Sequence, residues 1–496
     1  MRSRALTVVA TALAVGVVIT GTALALDPAA EAQNFAKTEE RQLHVTSTPE
    51  FQLLLQERNL QAPLEIAGIL ANDPERNFLA NVCSQRGQEC AGEIRFYDWR
   101  ESGLKRPVLF TARSGATISG NVWATRAGPP NRPAVAITTG SVQAPETLYW
   151  GIAANLAKRG YVVLTYDVQG QGRSDTFGEA PDGGEGVPSQ AGQPFFDGTE
   201  DALDFLLSSK RRPFDPRPSC GNANGGEATD HSAKHDRRVA EGLNAPFNPL
   251  HRLVDRGRVA IAGHSLGAAA VSFIGQRDRR VDAIAAWDNL SAPDAGFFDR
   301  GIECPARPAT RQPPPISKPA LGISNDYGIV PTPNLSDPDP QAANDGFLAY
   351  RDAGVDSMQI NIRGGTHEES AFIPGSTLPY PLGSATLRGH DMVAWYTAAW
   401  FDKEVKCLGR RPRCERRADR LVLTDRWLDD RIGAGVDLGG DGNLLSFYLR
   451  SRYAFERAGG RRVGCADMRA GCAAMGPDPK PADFSYLEQG LRPDRR

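Results

Sequence analysis

Short apolar runs alternate with longer stretches of helical periodicity through the central part of the chain. Helical stretches are predicted around 147–158, 197–209, 265–276 and 385–406. Fully apolar strands that alternate with helices indicate an α/β fold, with a mostly parallel twisted sheet and helices on both faces. The predicted buried strands are Ala134–Thr138, Tyr161–Tyr166, Val259–Ala262, Ala283–Trp287, Ala320–Ser324 and Met358–Ile362.

The pattern changes on either side of this region and twice within it. Val108–Thr111 and Ile118–Ala124 flank Ser114-Gly115, which predicts a hairpin at the start of the sheet. An α/β domain is therefore expected over 96–405, with insertions at 210–250 and 289–319. The first insertion is expected to be a surface loop, and a lid function of 291–319 is left open. Before this domain, a helical and irregular segment is expected over 26–95, with helix candidates Phe51–Leu55 and Leu64–Leu70. After it, an extension is expected over 406–496, with amphipathic helices at Leu421–Trp427 and Leu444–Tyr453.

The amino terminus has the features of an export signal. Two arginines within Met1–Arg4 precede an apolar stretch from Ala5 to Ala25, which ends in Ala23-Leu24-Ala25. A basic start, an apolar stretch and an A-x-A site are typical of a secretory signal peptide. We expect cleavage after residue 25, secretion, and no stable membrane span in the mature chain. The alternative is an uncleaved anchor, because about 20 apolar residues can span a bilayer.

The cysteines agree with an oxidising compartment. Three pairs each enclose six residues, which favours three local loops and one long-range bridge between Cys220 and Cys304. Metal sites are the weaker explanation, because zinc ligands usually stand two to four residues apart. Spacing alone does not establish the connectivity of eight cysteines. The eight disulfide candidates are Cys83, Cys90, Cys220, Cys304, Cys407, Cys414, Cys465 and Cys472.

Composition narrows the class of partner. The 496 residues carry 57 Lys and Arg against 59 Asp and Glu, and no long basic run is present. Nucleic-acid-binding proteins usually concentrate positive charge on one face. We therefore expect no nucleic-acid partner.

The most informative segment for function is Val259–Ala270. An apolar strand leads into Gly263-His264-Ser265-Leu266-Gly267, and small residues then open a helix. A nucleophile on a tight strand-to-helix turn needs small neighbours, because the backbone approaches itself closely there. Ser265 is therefore the predicted nucleophile.

This segment, together with Tyr161–Ser174, resembles the α/β-hydrolase superfamily over roughly 108–404. Asp167-Val168-Gln169-Gly170-Gln171-Gly172-Arg173-Ser174 is similar to the loop after the fourth strand of that family. The resemblance implies an α/β-hydrolase fold and a triad in the chain order Ser, acid, His. It also implies a function like that of exported serine esterases and lipases.

The resemblance assigns the other triad positions. His367, in Gly364-Gly365-Thr366-His367, follows the last predicted strand and matches the family's base. Asp326 follows the strand Ala320–Ser324 and is the first choice for the acid. Asp288, directly after the preceding strand, is the alternative, because some members place the acid one strand earlier.

The family also supplies two backbone donors that bind the oxyanion of the transition state. One comes from the residue after the nucleophile, here Leu266. The other comes from the loop after the third strand, where Ser141 is the first choice and Val142 an alternative. The Thr139-Gly140 pair departs from the more common His-Gly form, so the second donor is less closely defined.

The predicted function is hydrolysis of carboxylic esters, small-molecule, lipid or polymer, through an acyl-enzyme. No cofactor and no metal are expected, although His231 and His235 beside Asp230 and Asp236 offer four possible ligands on a solvated loop. An exported acyltransferase with the same triad is one alternative. A non-catalytic binding protein that kept the fold is the other, and it is disfavoured because Ser, Asp and His are all present.

Overall fold

The computed structural model describes residues 49–78, 103–141, 144–179, 192–219, 228–295, 313–325, 344–362, 367–371, 387–409, 412–423, 451–457 and 460–466. Within them the chain forms an α/β structure around one ten-stranded sheet of order β1-β2-β4-β3-β5-β6-β7-β8-β9-β10. The strands are β1 Gly103–Thr111, β2 Thr117–Thr125, β3 Arg132–Thr138, β4 Val162–Tyr166, β5 Val254–His264, β6 Ala283–Trp287, β7 Ala320–Asn325, β8 Ser357–Ile362, β9 Arg452–Arg457 and β10 Arg461–Cys465.

The central strands of the sheet are parallel and its two ends are antiparallel. β4, β3, β5, β6, β7 and β8 run parallel in that spatial order. The β1–β2 hairpin pairs antiparallel with β4, and the β9–β10 hairpin pairs antiparallel with β8. Both the predicted α/β class and the predicted mostly parallel sheet are therefore confirmed, with every predicted strand present.

Helices cover both faces of the sheet. The α-helices are α1 Pro49–Asn72, α2 Trp150–Lys158, α3 Gln193–Leu206, α4 Ser232–Ala240, α5 Leu266–Arg277, α6 Asn344–Asp352, α7 Leu387–Phe401 and α8 Pro412–Val422. Shorter 3-10 turns lie at Glu146–Tyr149, His251–Leu253 and His367–Ser370, and a π-helical turn at Asp402–Lys406 continues α7. In the described part of the chain, no helix combines the length and apolarity needed to cross a bilayer.

The alternation of side chains along β3 separates two apolar cores. Val135 and Ile137 belong to the core that includes residues of α2 and α7. Ala134 and Ala136 belong to the core that includes residues of α3 and α5. Because successive strand residues point to opposite faces, an all-apolar strand such as β3 requires both layers of helices.

Three expectations about the outer segments need correction. The two helix candidates near the amino terminus are parts of one helix, α1, which continues through Pro63. The 210–250 insertion is more than a surface loop, because it contains α4, whose fully buried Arg238 forms an ion pair with Asp73. The helix predicted over Leu444–Tyr453 is wrong at its end, since Tyr453 lies in β9, where backbone pairing with β8 outweighs helical periodicity.

The cysteine predictions are confirmed for one local loop. Cys407 and Cys414 form a disulfide between the end of the π-helical turn and α8. Cys465 is also disulfide-bonded, and its partner lies outside the described residues. The other five cysteines also lie outside them, as do the predicted signal peptide and residues 296–312 of the 289–319 insertion.

The turn between β5 and α5 is a very close approach of backbone to backbone. A Cβ atom added to Gly263 would lie 2.3 Å from the Gly267 carbonyl oxygen. One added to Gly267 would lie 2.3 Å from the Thr139 carbonyl oxygen of the loop after β3. Both distances are far below van der Waals contact, so glycine is required on each side of Ser265.

Gly263→Ala should therefore lower the free energy of unfolding by about 1–3 kcal/mol, the usual cost of forcing extra atoms into a packed interior. Gly257→Ala on the same strand is the matched control, because the added Cβ would meet only Asp255 Oδ1 at 3.5 Å. That control should change stability by less than about 0.5 kcal/mol. Urea unfolding of both variants measures the difference, and equal stabilities would contradict the close approach.

Candidate active site

Ser265 occupies the turn between β5 and α5 in a strained backbone conformation. Its φ is +56° and its ψ is −119°, and a positive φ is uncommon for any residue with a side chain. Its N–H donates to the Trp287 carbonyl at 2.9 Å, which ties the turn to the end of β6. Strain of this kind is retained where the surrounding structure imposes it, and it occurs preferentially at functional sites.

His367 is brought to this turn from the other half of the sheet. It follows β8 and begins the 3-10 turn His367–Ser370. Its ring centroid lies 4.7 Å from that of His264, the residue before Ser265. Its Nδ1 lies 2.5 Å from Asp288 Oδ2, so that Nδ1–H donates to a carboxylate. Nε2 is then the ring nitrogen that can accept a proton.

Asp288 follows β6 directly and has the geometry of the orienting acid. Its backbone N–H donates to the Ile323 carbonyl at 2.8 Å, which fixes it beside β7. It has a φ of +44°, and with Asn131 and Ser265 it makes up the non-glycine residues with positive φ in the described ranges. Two of the three strained positions therefore belong to this site.

The two candidate acids of the sequence are placed differently. Asp326 lies outside the described residues, and the carboxylate that contacts His367 is that of Asp288, the alternative acid. In the sequence, both residues come within two positions of the end of a predicted buried strand. Sequence spacing could not separate them for that reason.

Burial and nearby negative charge have opposite effects on the pKa of His367. Burial by itself disfavours the imidazolium, but the hydrogen bond and negative charge of Asp288 outweigh it and raise the pKa of His367 above its ordinary value. Burial also raises the pKa of the neighbouring Glu368 carboxyl. A base with a raised pKa and one oriented nitrogen is suited to taking a proton from a nearby hydroxyl.

The two residues whose N–H groups are proposed as oxyanion donors lie at the start of α5 and in the loop after β3. Leu266 is the first residue of α5, where backbone N–H groups have no intrahelical acceptor. Ser141 follows Gly140, at which an added Cβ would lie only 3.3 Å from Ser265 Cβ. The Gly140 N–H donates to the Tyr149 hydroxyl at 3.0 Å, which leaves Ser141 as the described loop residue suited to the role. Val142 lies outside the described residues.

Gln171 holds both ends of this loop and was not identified from the sequence. Its Nε2 donates to the Gly140 carbonyl at 2.7 Å, and its Oε1 accepts from the Ala144 N–H at 3.1 Å. The side chain is 1% exposed. Its position in the Asp167–Ser174 loop was the available signal, but only the structure shows that this amide brackets the loop after β3.

A buried hydrogen-bonded pair, Tyr149 and His264, lies beneath the turn. The Tyr149 hydroxyl is 2.8 Å from His264 Nδ1, and His264 Nε2 is 2.8 Å from the His367 carbonyl oxygen. Burial, and then the charge of His367, lower the pKa of His264 well below its ordinary value. His264 is therefore neutral at physiological pH.

His231 and His235, two of the four possible metal ligands, contact other side chains. His231 Nδ1 lies 3.6 Å from Glu179, and His235 Nδ1 lies 3.3 Å from the Asn244 amide nitrogen. Within the described ranges, no group of three or more His, Cys, Asp or Glu side chains is arranged to hold a metal ion.

Comparison with known proteins adds no assignment. No family model matches the sequence, and no curated protein matches it. The function must therefore be inferred from the chemistry of the site itself.

Asp288→Asn is expected to lower the pKa of His367, because it removes the negative charge that opposes the effect of burial. Titration of the His367 imidazole by NMR measures the change. Asp326→Asn is the matched control and should leave this pKa where it is. A lowered pKa in Asp326→Asn, with no change in Asp288→Asn, would contradict the assignment of Asp288.

Proposed function

We propose that this chain is a serine hydrolase that cleaves carboxylic esters through Ser265, His367 and Asp288. The observation that carries the proposal is the Asp288–His367 hydrogen bond of 2.5 Å beside the strained turn of Ser265. A serine hydroxyl is a weak nucleophile until a base takes its proton, and the base needs a group that orients it. Asp288 and His367 supply these two groups, and the His367 ring lies 4.7 Å from that of His264, the residue before Ser265.

The arrangement of strands supports an α/β-hydrolase fold. The order β1-β2-β4-β3-β5-β6-β7-β8 puts a serine after β5, a carboxylate after β6 and a histidine after β8. The order along the chain is then Ser265, Asp288, His367, which is the order Ser, acid, His of the α/β-hydrolase superfamily. The β9–β10 hairpin from the 406–496 extension adds two strands at the far edge of the same sheet.

The first half of the reaction transfers the acyl group to the enzyme. Ser265 Oγ attacks the ester carbonyl carbon while His367 Nε2 takes the hydroxyl proton. The carbonyl π electrons move onto the oxygen, and Leu266 and Ser141 N–H donate hydrogen bonds to it. The tetrahedral intermediate then expels the alkoxide, which takes the Ser265 proton from His367 Nε2 and leaves as the alcohol, so that Ser265 remains acylated.

The second half repeats these steps with water. His367 Nε2 takes a proton from water as its oxygen attacks the acyl carbon. Ser265 Oγ then leaves, takes that proton, and the carboxylic acid is released. Throughout both halves Asp288 accepts the Nδ1–H bond and stabilises the imidazolium, while remaining ionised.

Export is part of the proposal. The signal-peptide features of residues 1–25 agree with the disulfide between Cys407 and Cys414. Disulfides of this kind persist in oxidising compartments. The proposed partner is accordingly an extracellular ester substrate.

Ser265→Ala should abolish turnover of a short p-nitrophenyl ester, by roughly 10³-fold or more, because it removes the nucleophile. The wild-type protein should release a burst of p-nitrophenol and gain the mass of one acyl group. Equal turnover by wild type and Ser265→Ala would contradict the proposal.

The pH dependence follows from the raised pKa of His367. Only the neutral imidazole accepts a proton, so kcat/KM should fall as pH drops through that pKa. The acid limb should therefore lie above pH 6.5, the ordinary histidine value. A limb below that value would mean that another group limits the reaction.

A further inference from the structure

A continuous chain of hydrogen bonds runs beneath the candidate nucleophile. It begins at the Gly140 N–H, which donates to Tyr149 Oη at 3.0 Å. It continues from Tyr149 Oη to His264 Nδ1 at 2.8 Å and from His264 Nε2 to the His367 carbonyl oxygen at 2.8 Å. The chain thus joins the loop after β3 to the residue that carries the base.

The direction of every proton in this chain can be assigned. A carbonyl oxygen only accepts, so His264 Nε2 must carry a hydrogen and donate it to His367. His264 is neutral, so its Nδ1 has no hydrogen and accepts from Tyr149. The Tyr149 hydroxyl therefore donates to His264 while it accepts from Gly140. No donor faces another donor anywhere along the chain.

Burial makes this arrangement rigid. Tyr149 is 0% exposed and His264 2% exposed, and the Tyr149 ring stacks on Trp287 at the end of β6 with centroids 6.2 Å apart. A buried polar group that loses its hydrogen-bond partner destabilises the fold, because water cannot reach the group to replace that partner. Breaking any one bond of the chain would therefore leave a buried group unpaired.

His264 also has a fixed relation to the nucleophile, because it is bonded to Ser265 in the chain. His367, the proposed base, is held at two points. Asp288 holds its ring through Nδ1, and His264 holds its main chain through the carbonyl oxygen.

We propose that Tyr149 and His264 are positioning residues, which set the base His367 and the oxyanion loop at Gly140–Ser141 in one fixed frame around Ser265. This inference rests on the proposed function and deepens it. Both side chains are buried beneath the turn, so their proposed effect is exerted through the residues they hold. They act by holding the proton acceptor and the oxyanion donors in register, and a misplacement of about 1 Å can cost roughly 10²-fold in rate.

Tyr149→Phe tests the proposal by removing one hydroxyl. We expect kcat for ester turnover to fall roughly 10- to 100-fold, with KM changed less than about threefold, because a loss of orientation affects the transition state more than ground-state binding. Tyr161→Phe is the matched control. Tyr161 is equally buried, and its hydroxyl donates a hydrogen bond to Asp402 at 2.9 Å. It directly precedes β4 and so lies at the end of the strand away from the candidate site. Its kcat should stay within about twofold of wild type.

Two replacements of His264 separate positioning from packing. His264→Gln keeps an amide N–H that can reach the His367 carbonyl, whereas His264→Leu keeps only bulk. We expect His264→Gln to retain at least about tenfold more activity than His264→Leu. Equal activity of the two, at equal stability in urea, would overturn the proposal.

A spectroscopic readout is independent of turnover. In ¹⁵N NMR, His264 should be neutral and protonated at Nε2 in the wild type. Tyr149→Phe should keep this tautomer, because the His367 carbonyl still accepts from Nε2, but its Nδ1 resonance should shift because Nδ1 loses its hydrogen bond. Should the wild type turn over no ester, the proposed function fails, and the tautomer still tests the hydrogen-bonded chain. An Nδ1–H tautomer in the wild type would overturn the inference, as would a Tyr149→Phe kcat equal to that of Tyr161→Phe.

Discussion

The constraint on which the candidate site depends is the close approach of backbones around Ser265. The turn between β5 and α5 packs so tightly that a methyl group at Gly263 or Gly267 would overlap a carbonyl oxygen. At this turn Ser265 has a φ of +56°, and its neighbour Leu266 is the first residue of α5. One packing requirement therefore places the proposed nucleophile on a tight turn, with the first backbone N–H of α5 beside it.

Parallel strands explain how distant residues reach that turn. Ser265, Asp288 and His367 follow β5, β6 and β8, and the carboxyl ends of parallel strands lie at one edge of the sheet. The sheet brings the residues to the same edge, but hydrogen bonds set their orientation. The Asp288 carboxylate accepts from His367 Nδ1. The hydrogen bonds of Tyr149 and His264 join the His367 carbonyl to Gly140 in the loop after β3, the proposed oxyanion loop.

Sequence patterns predict this architecture well where the signal is local. The apolar strands, the glycine-flanked serine and the histidine after β8 are each marked by adjacent residues. The proposed acid is not, because Asp288 and Asp326 both follow apolar strands in the sequence, and it is the contact with His367 that favours Asp288. Gln171 and Tyr149 carry no local mark either, since their roles depend on side-chain bonds across loops. The pattern around Tyr453 predicts a helix, because its pairing with β8, almost a hundred residues away along the chain, leaves no local signal.

The central claim is that Ser265 is an activated nucleophile, and labelling with a fluorophosphonate probe tests it most directly. The native, disulfide-intact protein is treated with the probe, and the adduct is located by intact mass and peptide mapping. The account predicts one adduct, on Ser265, formed much more slowly when His367 is replaced by alanine. An unlabelled native protein, or an adduct on another residue, would contradict it.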